Sequence, residues 1–195
     1  MVEACIRAGF TSVMLDSSLR PFEENTAALR HVVAAARPMG VTVEGEIGSV
    51  GKVDDATQEG GEVSTLTDPA DAVRFVEQTG VDALAVSIGN AHGIYTRLPV
   101  FDFDRLEKIS KAVNVPLVLH GGSGTQPEYI RRAVSLGMAK INVASELCKA
   151  FKDTYAQQQS IGVGWLPSIV AATKQPMAEV AKRWIALAGA AGRAK

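Results

Sequence analysis

Short apolar runs alternate with amphipathic stretches along the whole chain. Phe10 to Asp16, Val41 to Ile47, Val81 to Ile88, Pro116 to His120 and Lys140 to Val143 are brief and apolar, and they predict five strands. Between them, residues 22–39, 69–79, 104–113, 127–136 and 144–159 carry apolar positions near helical spacing. Residues 2–8 read as the last turns of a further helix. Gly9, Gly40, Gly80 and Gly137 each follow a predicted helix, where a left-handed residue stops it. The tail from Trp165 reads as mostly helical, with Pro176 opening the last helix. Residues 48–66 show no clear period, and a loop of that length is usually functional or mobile. Strand–helix alternation predicts an α/β protein built of βα units on a parallel sheet.

Candidate chemistry gathers where the strands end: Asp16, Glu46, His92, His120 and Asn142. A barrel builds its site from those loops, and a doubly wound sheet also puts loops there. The dinucleotide fingerprint is absent. Gly45 to Lys52 lacks both the spacing and the Ser/Thr of a phosphate loop. The stretch that stands out is Pro116-Leu-Val-Leu-His-Gly-Gly-Ser-Gly124, a buried strand, a histidine and a glycine-rich loop. Two readings stay open for it: a place for chemistry, or a tight βα turn with a packed histidine.

The chain has three histidines. His31 falls inside a helix, as a surface or packing residue. His92 and His120 each precede glycine after a strand, so they can converge on one metal. Catalytic zinc takes three protein ligands and an open position, and only two are evident here. From spacing alone, two unrelated histidines are the favoured reading. Glu44 and Glu46 lie two apart, hence on one strand face. With Asp16 they either hold a hard cation or are solvated at a sheet rim. Gly121 to Ser123 and Asn142 to Ser145 both lead from a strand toward a helix. Backbone N–H groups there suit a phosphate, against the plainer reading of helix capping by Ser123 and Ser145.

Composition narrows the class. With 195 residues, 47% hydrophobic and 21% charged, the chain can bury one substantial core as a single domain. A net charge of −1 gives no reason to expect nucleic acid or an anionic membrane as partner. Cys5 and Cys148 stand far apart without a CxxC partner, as reduced thiols of a cytoplasmic protein. No run approaches the length of a membrane span, and the first residues lack a signal-peptide pattern.

Taken together, six segments resemble the class II, metal-dependent ketose-bisphosphate aldolases, above all the tagatose- and fructose-bisphosphate branches. They are Ala8 to Asp16, Val43 to Gly48, Thr79 to Gly89, Ala91 to Tyr95, Pro116 to Gly124 and Lys140 to Val143. They run in family order up to about residue 150, while the last 35 residues resemble the family weakly. The resemblance implies a (β/α)8 barrel of which this chain, residues 1–195, carries about strands four to eight, with strands one to three missing. It implies reversible cleavage of a ketose 1,6-bisphosphate to dihydroxyacetone phosphate and glyceraldehyde 3-phosphate, with zinc (Zn2+) polarising the ketone and stabilising the enediolate. It assigns His92 and His120 to zinc, and Asp16 and Glu46 to a second divalent or monovalent cation. Gly93, Gly121, Gly122, Ser123, Asn142, Val143, Ala144 and Ser145 are assigned to dihydroxyacetone phosphate. The family's partners are small sugar phosphates and further copies of itself, as dimers or tetramers.

The departures matter as much. The family carries an Asp-His pair on an earlier strand, the proton donor and the third zinc ligand. No Asp-His dipeptide occurs in this chain. Where the family usually has Gly-Gly-x-Glu-Asp, this chain has Gly51-Lys-Val-Asp-Asp55. Asp54 takes the catalytic glutamate's place with one methylene fewer. Asn90 stands where the family often has threonine, an exchange expected to have little effect. The chain alone is therefore expected to be inactive. The contrasting reading is a non-catalytic, aldolase-like accessory or binding subunit.

Overall fold

A computed structural model describes residues 1–52, 65–93, 95 and 99–193. Its centre is a parallel sheet of five strands: β1 (Ser12–Leu15), β2 (Thr42–Ile47), β4 (Ala83–Val86), β6 (Leu117–Leu119) and β7 (Met138–Ile141). Two-residue strands β3 (Gly51–Lys52) and β5 (Ala91–His92) pair separately, also in parallel. The helices are α1 (Val2–Arg7), α2 (Phe22–Ala36), α3 (Pro69–Thr79), α4 (Phe103–Ala112), α5 (Pro127–Ser135), α6 (Ser145–Ser160) and α7 (Leu166–Leu187). A 3-10 turn, Arg37–Met39, extends α2.

Order in the main sheet is β1-β2-β4-β6-β7, the order of the chain. It never reverses, as it would at the switch point of a doubly wound sheet. Right-handed crossovers in one direction lay successive helices on one face, as in an arc of a barrel. The core agrees. Val43, Ile47, Leu84, Val86, Leu117 and Leu119 cluster with Leu29, Phe75, Leu106, Ile109 and Ile130 of the helices. Ala85 and Val118 alternate with these along the strands. They are fully buried yet stand outside that cluster, on the sheet's other face.

Local chemistry explains the helices. In α2, Leu29, Val32, Val33 and Ala36 are buried, and in α3 Ala72, Phe75, Val76 and Thr79. Both sets follow i, i+3, i+4, i+7, one apolar stripe. Asp68 caps α3 by accepting the N–H groups of Ala70 and Asp71, and Pro69 fills the first turn. Gly80, at φ 68°, ends it. Gly45 faces the helices. A Cβ there would stand 3.1 Å from both Phe75 and Val81 and 3.3 Å from Leu29, so its absence lets α2 and α3 close on β2.

Three expectations need correction. The strand expected over Lys140 to Val143 begins at Met138 and ends at Ile141. The expected loop 48–66 contains β3, which two residues are too short to signal by periodicity. Pro176 opens no helix: α7 runs through it. A proline ring costs a helix one N–H bond. Here Ile169 and Thr173 before it and Trp184 after it are all buried, so packing on both sides holds one axis. No helix among the described residues is long and apolar enough to cross a membrane.

Phe75 is fully buried and meets Phe22 edge-on, with ring centroids 6.0 Å apart. Phe75→Ala is expected to cost about 3–5 kcal/mol. In urea unfolding this lowers the midpoint and leaves the m-value unchanged.

Candidate functional site

Parallel strands deliver their carboxyl ends to one rim. Strand alternation turns Val43, Gly45 and Ile47 toward the helices and Glu44 and Glu46 the other way. Both carboxylates are removed from water, at 6% and 1% exposure, which overturns solvation at a sheet rim. Their partner is His120, itself 3% exposed, one residue beyond β6. Its Nε2 bonds Glu44 Oε1 at 2.9 Å. Its Nδ1 stands 2.8 Å from Glu46 Oε2 as an ion pair, although that oxygen receives no aligned hydrogen bond. Lys140 of β7 donates to Glu44 Oε2 at 2.7 Å. Two carboxylates and two cations thus span β2, β6 and β7.

Burial works against charge on His120, but the hydrogen bonds and charges of Glu44 and Glu46 push its pKa up to about 9. Burial would raise Glu44, yet bonds from His120 and Lys140 hold it below its ordinary value.

His92 lies beside His120, with ring centroids 5.7 Å apart and planes tilted by 46°. The structure therefore brings together the two histidines that sequence spacing left as unrelated. Their chemistry fits zinc: two imidazoles, with Glu46 Oε2 buried nearby and short of an aligned donor. Among the described residues, however, no three such donors converge. Metal binding at His120 requires one ring nitrogen to exchange its carboxylate for the ion and release a proton. Asp16 is exposed and is linked to Glu46 through Ser18. Ser18 N–H donates to Asp16 Oδ1 at 2.9 Å, and its hydroxyl to Glu46 Oε1 at 3.3 Å. Asp54 lies outside the described residues.

The glycine loop is built for close approach. Gly121, at φ 66°, places an imagined Cβ 1.9 Å from the carbonyl of Ala91, so no other residue fits. Gly122 N–H donates to the Asn142 carbonyl at 3.0 Å, and Asn142 N–H to Leu119 at 2.9 Å, which joins the two predicted phosphate loops. Gly93, Ala144 and Ser145 line a cleft of about 430 Å³ together with Lys149 and Lys152. Val143 is half-buried beside them. Ser123 does cap a helix: its Oγ accepts the Glu146 N–H of α6 at 3.2 Å. Ser145 makes no such cap.

Two contributions are not visible in the spacing. Glu146 Oε1 accepts the Gly124 N–H at 2.7 Å, while Oε2 accepts Trp184 Nε1–H at 2.9 Å and pairs with Arg183. The tail helix α7 thereby braces the glycine loop. The only signal in the sequence is an acid in the first turn of a helix. Asn90, expected to matter little, is fully buried and bonds His120 across the loop, its amide Nδ2 donating to the His120 carbonyl at 3.0 Å. A threonine hydroxyl can also donate and accept, as Thr67 does between Ile47 and Ser87, but the amide carries the two roles on separate atoms.

The family model for class II fructose-bisphosphate aldolase matches residues 1–193. The YdjI aldolase from Escherichia coli K12 superposes with a TM-score of 0.83 at 37% identity, covering 97% of this chain and 65% of its own. A candidate fructose-1,6-bisphosphate aldolase from Coccidioides immitis gives 0.83 at 27%, covering 98% and 68%. Fructose-bisphosphate aldolase from Campylobacter jejuni, at 22% identity and 0.75, shares the fold. The chain thus spans 65% of the length of YdjI.

The charge cluster sets a pH dependence. His120 has a raised pKa, so its stabilisation is complete below about pH 6.5 and is lost as pH climbs through about 9. Glu44 has a lowered one, so its share is present above about 4.5 and is lost as pH falls below that. In metal-stripped protein, the His120 ring proton signal is expected to titrate with a midpoint near 9. A midpoint near that of a free imidazole, about 6.5, contradicts the paired geometry.

Proposed function

The chain belongs to the class II fructose-bisphosphate aldolase family, and from that premise we propose that its rim serves zinc-dependent retro-aldol cleavage of a ketose 1,6-bisphosphate, fructose or tagatose. The observation that carries this is the pairing of His92 and His120, with ring centroids 5.7 Å apart, beside a glycine loop packed closely on the segment that bears His92. His92 and His120 hold the metal, which when bound supplies Lewis-acid polarisation of a carbonyl.

The other residues have roles of their own. Glu44 and Lys140 fix the His120 ring, and Glu46 with Asp16 offers carboxylate oxygens to a second cation. Gly93, Gly121, Gly122, Ser123 and the segment Asn142 to Ser145 receive the phosphate of dihydroxyacetone phosphate. Proton transfer falls to Asp54, the acid nearest in sequence to the family's glutamate. The products are dihydroxyacetone phosphate and glyceraldehyde 3-phosphate, in a cytoplasmic, oligomeric enzyme.

A second reading has one observation in its favour. Both nitrogens of His120 face carboxylates, as in a structural charge cluster. That suits a non-catalytic accessory subunit, which would co-purify with a stable partner and bind no zinc.

These 195 residues contain no Asp-His dipeptide. The purified chain is therefore expected to bind zinc weakly and to cleave neither bisphosphate, since loss of an acid–base group alone costs about 100- to 10,000-fold. Isothermal titration with zinc and a coupled triose-phosphate assay check both. Zinc-dependent turnover by this chain overturns the expected inactivity. Zinc binding that survives both His92→Ala and His120→Ala overturns the metal assignment.

A further inference from the structure

We propose that Asn90 and Tyr95 are positioning residues, a two-point latch that sets where His92 stands relative to His120. The inference rests on the metal reading above for its functional meaning, but not for its geometry. Asn90 is fully buried in the loop four residues beyond the carboxyl end of β4. Its Oδ1 accepts the Ile88 N–H at 2.8 Å, and its Nδ2 donates to the His120 carbonyl at 3.0 Å. Each end of the amide thus meets a group of the opposite kind, which fixes its orientation. Tyr95 forms the second point. Its hydroxyl accepts the Ala91 N–H at 2.7 Å and donates to the Gly121 carbonyl at 3.0 Å. Burial raises the phenol's pKa, consistent with a hydroxyl that keeps its proton to donate.

The anchors form a pattern. Residues 90 and 95 bracket His92 in sequence, and they hold consecutive carbonyls, those of His120 and Gly121. The gap between the loops is already minimal, since a Cβ on Gly121 would stand 1.9 Å from Ala91 O and 3.0 Å from His92 N. The segment bearing His92 can therefore neither approach the His120 strand further nor drift from it while both anchors hold. Neither side chain touches an imidazole ring through these bonds. They act on the backbone beneath the rings, and so on the separation of the rings. Groups behind metal ligands typically alter affinity by about 10- to 100-fold when removed.

The test uses Tyr95→Phe, which removes one oxygen and keeps the ring, with Asn90→Ala as a second variant. Cobalt(II) is titrated into the 195-residue chain and its visible d–d bands are followed. Wild type, compared with Tyr95→Phe, is expected to bind at least tenfold more tightly, and the variant's band positions shift as the donor geometry loosens. Folding is checked by far-ultraviolet circular dichroism, and Tyr95→Phe decides alone if Asn90→Ala does not fold. Equal affinity and unshifted bands in a folded variant overturn the latch.

If wild type binds no cobalt, the metal reading fails, and the latch is judged by nuclear Overhauser contacts between the two histidine rings. Weakened contacts in Tyr95→Phe, with faster amide exchange at Ala91, support it. Unchanged contacts overturn it.

Discussion

Four charged groups on three strands fix the middle of this sheet: Glu44 and Glu46 on β2, His120 after β6 and Lys140 on β7. Glu44, Glu46 and His120 are almost wholly withdrawn from water. An isolated buried charge is costly, and pairing offsets that cost only where the geometry is good. Here each carboxylate faces a cation, and the one ammonium involved keeps its side chain 52% exposed. Glu44 therefore ties β2 to both β6 and β7 across the inner face, bypassing β4 between them. Any rearrangement of His120, including metal binding, must re-pair these carboxylates.

The same strands do two jobs because their side chains alternate. Toward the helices they present Val43, Ile47, Leu84, Val86, Leu117 and Leu119, which merge with the helical stripes into one apolar core. On the other face they present Glu44, Glu46, Ala85, Val118 and then His120. Small residues at the middle strand leave room there for the long side chains on either side to meet. Gly45 shows the opposite need on the helical face, where α2 and α3 crowd in and even a methyl group would be tight.

Around this centre the loops are joined to one another by hydrogen bonds. Gly122 reaches Asn142, Ser123 and Gly124 reach Glu146, and Asn90 and Tyr95 reach His120 and Gly121. Glu146 carries the connection on to Trp184 in α7. The tail was expected to resemble the aldolases weakly, but the family model runs through it to residue 193, and it bears on the glycine loop through Glu146. The helical packing that carries α7 through Pro176 also keeps Trp184 in place for that contact.

Much of this was legible in the residues themselves. Helical stripes, capping residues such as Asp68 and stop glycines such as Gly80 are local signals, so the strand–helix alternation and its membership in the aldolase family follow from sequence. Period-two alternation likewise put Glu44 and Glu46 on one face. What that face meets was not legible, because the bond between Glu44 and His120 joins residues 76 apart, and no local period encodes it. For the same reason β3, the span of α7 through Pro176, the burial of Asn90 and the reach of Glu146 came only with the fold. Sequence determined which groups were available at the rim. Tertiary structure decided which of them touch, because burial forces each charged or polar group to find its partner in space rather than along the chain.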